Sequence, residues 1–389
     1  MNTLTSQDSF IYLDHSATTP VDPEVADAMM PYITGPLSCG NPSSVHRYGR
    51  RARAAVDEAR DQVARLIGAD YSEVYFTGSG TEADNLALAG AMYGACAGRG
   101  HLITTAIEHP AILRTAHNLE THGFTATVLP VDREGFVSPS AVRDAITERT
   151  TLVSVMFANN EIGTIQSAAE IAAIARERGV LFHSDAVQAA GLLEVDFKLL
   201  DCDLMTISSH KFYGPKGVGA LAIKQGTRIS PIVHGGTQER EKRAGTENVA
   251  AIVGFGKAAE LARARRQEDA HRLAGLRDRF ILSLSRSVTN LMLNGPIVGR
   301  LPNNVNVSVS GISGATMLMN LDRKGVAASS GAACSSGSIE PSHVLKAIGL
   351  SDPLASSGIR FSLGRCTTEE ELDRTVEIFG AIVDRVRGL

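Results

Sequence analysis

The sequence predicts an α/β protein: a large domain with a mostly parallel sheet flanked by helices, and a smaller α+β domain. Three observations predict it. Short apolar runs alternate with amphipathic stretches of helix length between residues 73 and 207, the pattern of successive βαβ units. Polar residues cluster just after those runs, where open parallel sheets bind their ligands. Beyond about residue 265 the pattern changes to a charged helix, one alternating strand and a final helix. A chain of 389 residues is long enough for both units. The boundaries read as 16–260 for the large domain, with 1–15 and 261–389 forming the small one.

In order, residues 11–20 read as a short strand and a polar turn. Asp22-Pro23-Glu24 opens a helix, with an N-cap and a proline in its first turn. Residues 40–44 (Gly-Asn-Pro-Ser-Ser) form a loop, and Arg47 to Ile67 is a long amphipathic helix closed by Gly68. Strand 73–76 runs into Thr77-Gly78-Ser79-Gly80-Thr81-Glu82, from which a helix extends to about Ala95. Strands at 101–105, 125–130, 151–157 and 180–183 alternate with helices at 110–122, 139–147 and 168–178. Leu204 to Ile207 is a further buried strand. The polar loop 234–248 leads into a helix through Arg266, and a second charged helix begins near Arg265. Asn304 to Val309 and Ile359 to Arg365 are strands, and Thr368 to Arg387 is the closing helix.

Composition excludes several classes. The formal net charge is −4, spread without long runs, which argues against a nucleic-acid or membrane-surface partner. No apolar run reaches membrane-spanning length. Met1 to Phe10 lacks a basic segment followed by an apolar one, so no secretory signal is read there. The five cysteines are widely spaced, which argues against a disulfide framework or a zinc site. A soluble enzyme of a reducing, cytoplasmic compartment is expected.

The stretch from Ser208 to Gly217 carries the chemistry. Lys211 follows a buried strand, where its charge is costly and a lowered pKa makes the amine a nucleophile toward carbonyls. That is the setting of a lysine in Schiff-base linkage to pyridoxal phosphate; the alternative is a surface lysine at a strand end. The glycine turn at 78–81 supplies an anion site, because free N–H groups and the helix dipole converge there. The alternative is a helix capped by Thr81. Asp185, after the apolar strand Val180-Leu181-Phe182, can keep a pyridinium nitrogen protonated, although such a carboxylate also serves as a helix cap. Gln188 lies one turn further on. His109, before a proline, offers a flat ring for stacking on a flat cofactor.

Residues 329–338 are mostly Ser, Gly and Ala and read as a mobile loop bearing Cys334 (loop about 329–340). At a pKa near 8.5, about a tenth of such a thiol is thiolate at pH 7.5. Arg360 and Arg365 fall on opposite faces of one strand. One is expected to turn inward and grip a carboxylate with two parallel bonds, and the other to be solvated.

Taken together, these motifs resemble the cysteine desulfurases, pyridoxal-phosphate enzymes of the class V aminotransferase group with fold type I. The matching blocks include Tyr12 to Pro20, Gly40 to Ser44, Gly78 to Asn85, Glu108-His109-Pro110, Asn159 to Gly163 and His183 to Gln188. Ser208 to Gly217, Arg243 to Asn248, Ser329 to Ser335 and Ile359 to Arg365 complete the series, so the likeness spans nearly the whole chain. The Ser-Ser-Gly-Ala-Ala-Cys loop resembles the branch with a long cysteine loop.

The resemblance implies that Lys211 carries the cofactor and later moves the α-proton. It implies that His109 stacks on the ring, that Asp185 pairs with the ring nitrogen, and that Gln188 and Asn160 contact the hydroxyl side. Gly80, Thr81, Ser208 and His210 would hold the phosphate, and Thr246 would reach the phosphate of a second subunit, which implies a homodimer. Arg360, with Asn160, would bind the substrate carboxylate. Cys334 would take sulfur from L-cysteine, leaving alanine and a persulfide, and pass it to an iron–sulfur scaffold or another acceptor. No resident metal is implied, with Cys334 a candidate transient ligand of a transferred cluster. Glu241 departs from the family, which often has a smaller residue there. Other readings of the same frame are a selenocysteine lyase, an aminotransferase, or an inactive persulfide carrier.

Overall fold

The computed structural model describes residues 10–95, 100–330 and 341–388. The chain opens with β1 (Ile11–Tyr12), α1 (Pro23–Ile33), α2 (Arg47–Leu66), β2 (Val74–Thr77) and α3 (Gly80–Gly94). Next come β3 (His101–Thr105), α4 (Pro110–Thr121), β4 (Thr125–Leu129), α5 (Pro139–Ala145), β5 (Thr150–Ser154), α6 (Ala168–Glu177) and β6 (Leu181–Asp185). Then follow β7 (Leu204–Ser208), β8 (Gly219–Ile223), α7 (Val249–Ser287), β9 (Leu291–Leu293), β10 (Asn304–Val309) and α8 (Gly314–Arg323). The described chain closes with β11 (Val326–Ala327), α9 (His343–Ala347), α10 (Asp352–Ala355), β12 (Gly358–Ser362) and α11 (Glu369–Arg387).

Among the described residues, seven strands form the central sheet in the order β2-β8-β7-β6-β5-β3-β4. Strands β3 to β7 run parallel, as the alternation predicts. The exception is β8, which pairs antiparallel with both β2 and β7. Its sequence, Gly-Ala-Leu-Ala-Ile, has few bulky β-formers, and it reads as the tail of the preceding turn.

The period of two sorts side chains onto the two faces. Phe182, Met205 and Ile207 enter one apolar cluster, with Val56, Val63 and Phe255. Leu204, Leu221 and Ile223 enter the opposite cluster, with Leu86 and Ile112. The same alternation places His183, Asp185, Thr206 and Ser208 on the α3 side, so a polar floor is built into strands whose other face is hydrocarbon.

A separate apolar cluster gathers Ile11 and Leu13 with Leu273, Phe280, Val305, Val307, Ile359, Phe361 and Phe379. Its aromatic centre is edge-to-face: Phe280 and Phe361 centroids lie 5.3 Å apart, Phe361 and Phe379 5.9 Å. Antiparallel β12-β10-β9 forms the sheet behind it.

Two expectations are corrected here. The pair of helices meeting near Arg265 is one continuous helix, α7, of 39 residues. The charged middle of α7 is not a break. Buried Ala251 to Ala262 pack on one core and Leu273 to Leu284 on the other, while Arg265 reaches Asp22 and Glu24 on the way. Secondly, Arg365 lies past the end of β12 and is not simply solvated. Its guanidinium bonds Asp22 and Asp269 at 2.9 Å each and sits 4.2 Å from the Tyr213 ring centroid.

Phe361→Ala should cost about 3–5 kcal/mol, because the two flanking rings cannot close the cavity. Urea titration checks this, and a loss below about 1 kcal/mol would mean that the stack is not a packed centre.

Candidate active site

A cavity of about 350 Å³ opens at the carboxyl ends of β6 and β7, lined among others by Gly80, Thr81, His109, Asn160, Asp185, Gln188, Ser208, His210, Lys211 and Arg360. Every cofactor- or substrate-binding residue expected from the sequence is there except Thr246. That residue is exposed and lies outside the cavity. Cys334 lies outside the described residues.

Lys211 ends a short 3-10 turn, Ser209–Lys211, immediately after β7. Its Nζ donates to the carbonyl oxygens of Ser16 at 2.6 Å and Ala17 at 2.8 Å. Gln188 Nε2 donates to the same Ser16 oxygen at 3.0 Å. The amine therefore faces the cavity rather than bulk water. These backbone acceptors carry no side-chain signal and were beyond the reach of sequence reasoning.

Asp185 is buried on β6, with Thr206 of β7 as its register partner. Its Oδ1 accepts from the Val187 N–H at 2.9 Å. Burial raises its pKa to about 6, against the lowering effects of that hydrogen bond and of Lys211. Asp84, on α3, is also buried and raised well above the usual range, first by burial and then by the Asp185 charge. Its Oδ1 is 3.7 Å from His183 Nε2 and, among the described residues, makes no hydrogen bond. Glu108, buried behind His109, is raised to about 8 by burial, although Met156 N–H and Thr105 O–H donate to it. Carboxylates so placed favour a cationic partner on the cavity side.

His109 caps α4. Its Nδ1 accepts from the Ala111 N–H at 3.1 Å, so the neutral ring carries its proton on Nε2. Burial, then the charges of Lys211 and His343, lower its pKa to about 4. His210 is lowered to about 4 by burial and by Lys211 and Lys216, and its Nδ1 is 3.2 Å from Thr18 Oγ1.

The anion cradle differs in detail from the sequence reading. Ser79, not Thr81, caps α3, accepting from the Glu82 N–H at 3.1 Å, a contact worth about 1 kcal/mol. Thr81, exposed at the first turn, has no side-chain hydrogen bond among the described residues. A Cβ on Gly80 would sit 3.1 Å from Val187 and 3.2 Å from Ser208 Cβ. Opposite, a Cβ on Gly219 would come within 2.6 Å of the Ser79 carbonyl carbon, so β8 needs glycine to let the turn close.

Arg360 is 2% exposed on β12. Its Nη2 bonds Asp14 Oδ1 at 2.7 Å and its Nη1 the Asn160 carbonyl at 3.0 Å, which fixes the plane of the fork. Among the described residues its Nε has no partner. Asp14 was not among the residues expected at the site. The backbones of Arg360 and Ser329 exchange hydrogen bonds of 2.6 and 3.1 Å. On the far side of the cysteine segment, Ser342 bonds Glu161 at 2.5 Å, and His343 lies 2.9 Å from the Glu108 carbonyl. The flank before residues 331–340 is thus tied to cavity-lining Arg360, and the flank after them to Glu161 and Glu108, next in sequence to cavity-lining Asn160 and His109.

The family model for class-V aminotransferases matches residues 11–375. Cysteine desulfurase IscS of Dictyoglomus turgidum is 48% identical over 97% of this chain and 95% of its own length. The chain belongs to the cysteine desulfurases of the class-V aminotransferase family. Cysteine desulfurase IscS of Methanosarcina thermophila is likewise 48% identical, over 99% of this chain and 95% of its own. A solved NifS-like protein superposes with a TM-score of 0.90 at 35% identity, covering 97% of this chain and all of that one. Among the described residues no helix is long and apolar enough to cross a membrane, and no His, Cys, Asp and Glu side chains cluster as metal ligands.

The buried carboxyl of Glu108 gives a pH signature. Its pKa is raised on folding, so its contribution to stability is full below about 4.5 and fades as pH rises through about 8. Glu108→Gln should therefore flatten the loss of stability between pH 5 and pH 8. Urea midpoints at the two pH values read this, and an unchanged slope would show that Glu108 is already ionised in the fold.

Proposed function

We propose that this desulfurase binds pyridoxal phosphate on Lys211 and converts L-cysteine to L-alanine, transferring sulfur to Cys334 as a persulfide. The observation that carries the reading is one cavity holding Lys211, Asp185, an anion cradle and Arg360. The residues fit the group. Among the described residues, Ser208 Oγ is buried without a partner beside Gly80, Ser16 Oγ is likewise unpartnered at the opposite wall, and burial holds Asp185 above its ordinary pKa.

In this reading Gly80, Thr81, Ser208 and His210 hold the phosphate. A phosphate there would favour the protonated form of His210. Asp185 takes a ring N–H, His109 covers the ring face, and Gln188 and Asn160 meet the hydroxyl edge. When bound, the cofactor supplies an electron sink for the α-carbon of an amino acid.

This chain's own residues do the rest. Arg360 has five N–H donors, of which Asp14 and Asn160 take two, so donors remain for the carboxylate of L-cysteine. Asn160 supports that contact through its carbonyl. The Lys211 amine moves the α-proton, and neutral His109 holds a proton on Nε2 at the cavity. The Cys334 thiolate attacks the substrate sulfur. A sulfur–sulfur bond forms as the carbon–sulfur bond breaks, the electron pair stays on the substrate β-carbon, and protonation there completes alanine. Cysteine and one thiol become alanine and one persulfide, with no external oxidant.

Ser329, which precedes the cysteine segment, has its backbone paired with that of Arg360. Thr246 serves the phosphate of a second copy, so the working unit is a homodimer. The large domain is residues 16–260, with the remainder as the small one. The setting is cytoplasmic, and the sulfur passes to an iron–sulfur scaffold or a similar acceptor.

The purified protein should be yellow and should release alanine and sulfide from L-cysteine in the presence of a thiol. Cys334→Ala should keep the colour and lose sulfide release at least a hundredfold, about the loss expected on removing an essential nucleophile. Full sulfide output from that variant would remove Cys334 from the mechanism.

A further inference from the structure

The loop at 237–248 is strained and heavily anchored, and none of its anchors touches the cavity. Glu239, Arg240 and Glu241 are consecutive non-glycine residues with φ of 44°, 51° and 66°, a left-handed run that costs energy at each residue. The departure from the family at Glu241 falls within that run. It is held by a buried fork: Arg60 Nη1 and Nη2 bond the two Glu239 carboxylate oxygens at 2.6 and 2.7 Å. Glu239 Oε2 also accepts from the Phe76 N–H at the end of β2, at 2.8 Å.

A second clamp follows four residues later. Arg243 Nε donates to Glu82 Oε1 at 2.8 Å, and its Nη2 lies 3.4 Å from Oε2. Glu82 Oε2 in turn accepts from the Gly78 N–H at 2.9 Å. A Cβ on Gly78 would meet Glu82 Oε2 at 2.7 Å and Arg243 Nη2 at 3.5 Å, so the pair closes directly over the glycine turn. Both clamps therefore grip β2 and the turn after it, the piece of backbone that cradles the anion. Thr246, three residues beyond Arg243, is left exposed.

We propose that Glu82 and Arg243 are positioning residues for the cofactor phosphate: their ion pair locks the Gly78–Gly80 backbone and the Thr246 loop into one unit, so two phosphate sites are shaped by a contact that touches neither phosphate. The inference rests on the proposed function. Two physical consequences follow. The Glu82 carboxylate, in the first turn of α3, would repel a phosphate at that helix end, and Arg243 neutralises it. Moreover, the pair acts only on the phosphate end of the cofactor, not on the aldehyde end at Lys211.

The test uses the full-length protein, stripped of cofactor and refilled with either pyridoxal phosphate or unphosphorylated pyridoxal, with both affinities read from the absorbance of the Lys211 adduct. Arg243→Gln and Glu82→Ala should each lower the preference for the phosphorylated aldehyde about tenfold, with the affinity for pyridoxal unchanged within about twofold. Arg243→Lys, which keeps a cation without the forked geometry, should recover part of the preference. The two side chains are 24% and 23% exposed, so the variants should fold, and Glu82→Gln serves as a milder second variant. A parallel loss of affinity for both aldehydes would make the pair merely structural and overturn the inference, as would a fully retained preference. If the wild-type protein bound neither aldehyde, the proposed function would fail, and this inference with it.

Discussion

Lys211 must be presented as an amine at the end of a buried strand, and two carbonyl oxygens at residues 16 and 17 are what hold it there. Those carbonyls belong to the turn that follows β1, whose own partner, β11, lies in the other apolar cluster. The same turn places Asp14 against Arg360. The Arg360 guanidinium and the Lys211 amine are thus fixed relative to each other through the four residues 14–17. Loss of packing in either core would be felt at the amine.

Around that contact the site is electrically unbalanced in a consistent direction. Burial holds Asp185, Asp84 and Glu108 toward their protonated forms and holds His109, His210 and His183 toward neutrality. A floor that disfavours its own ionised carboxylates gains when a cationic ring nitrogen arrives. A cradle of backbone N–H groups and an unpartnered serine hydroxyl gains when a dianion arrives. The arrangement gives up folding stability for a surface that suits the proposed pyridoxal phosphate.

Much of this was legible in the sequence, because the parallel sheet writes itself as alternating apolar and amphipathic runs and leaves its polar residues at strand ends. Lys211, Asp185, Gln188, His109 and Ser208 follow such runs and converge as expected. What stayed hidden had physical reasons. Backbone acceptors such as the Ser16 carbonyl have no residue-type signature. The Asp14–Arg360 pair joins positions 346 apart in the chain. The β8 strand is too rich in small residues to announce itself. The charged middle of α7 resembles a boundary, yet it is a helix crossing between two cores. Ser79 and Thr81 are equally good caps by composition, and only the hydrogen bond to the Glu82 N–H separates them.

The most direct measurement is chemical. Reduction of the purified protein with borohydride followed by peptide mass mapping should place one reduced pyridoxal phosphate adduct on the peptide carrying Lys211. An adduct on a different lysine, or none on a protein that still releases sulfide from L-cysteine, would contradict the account.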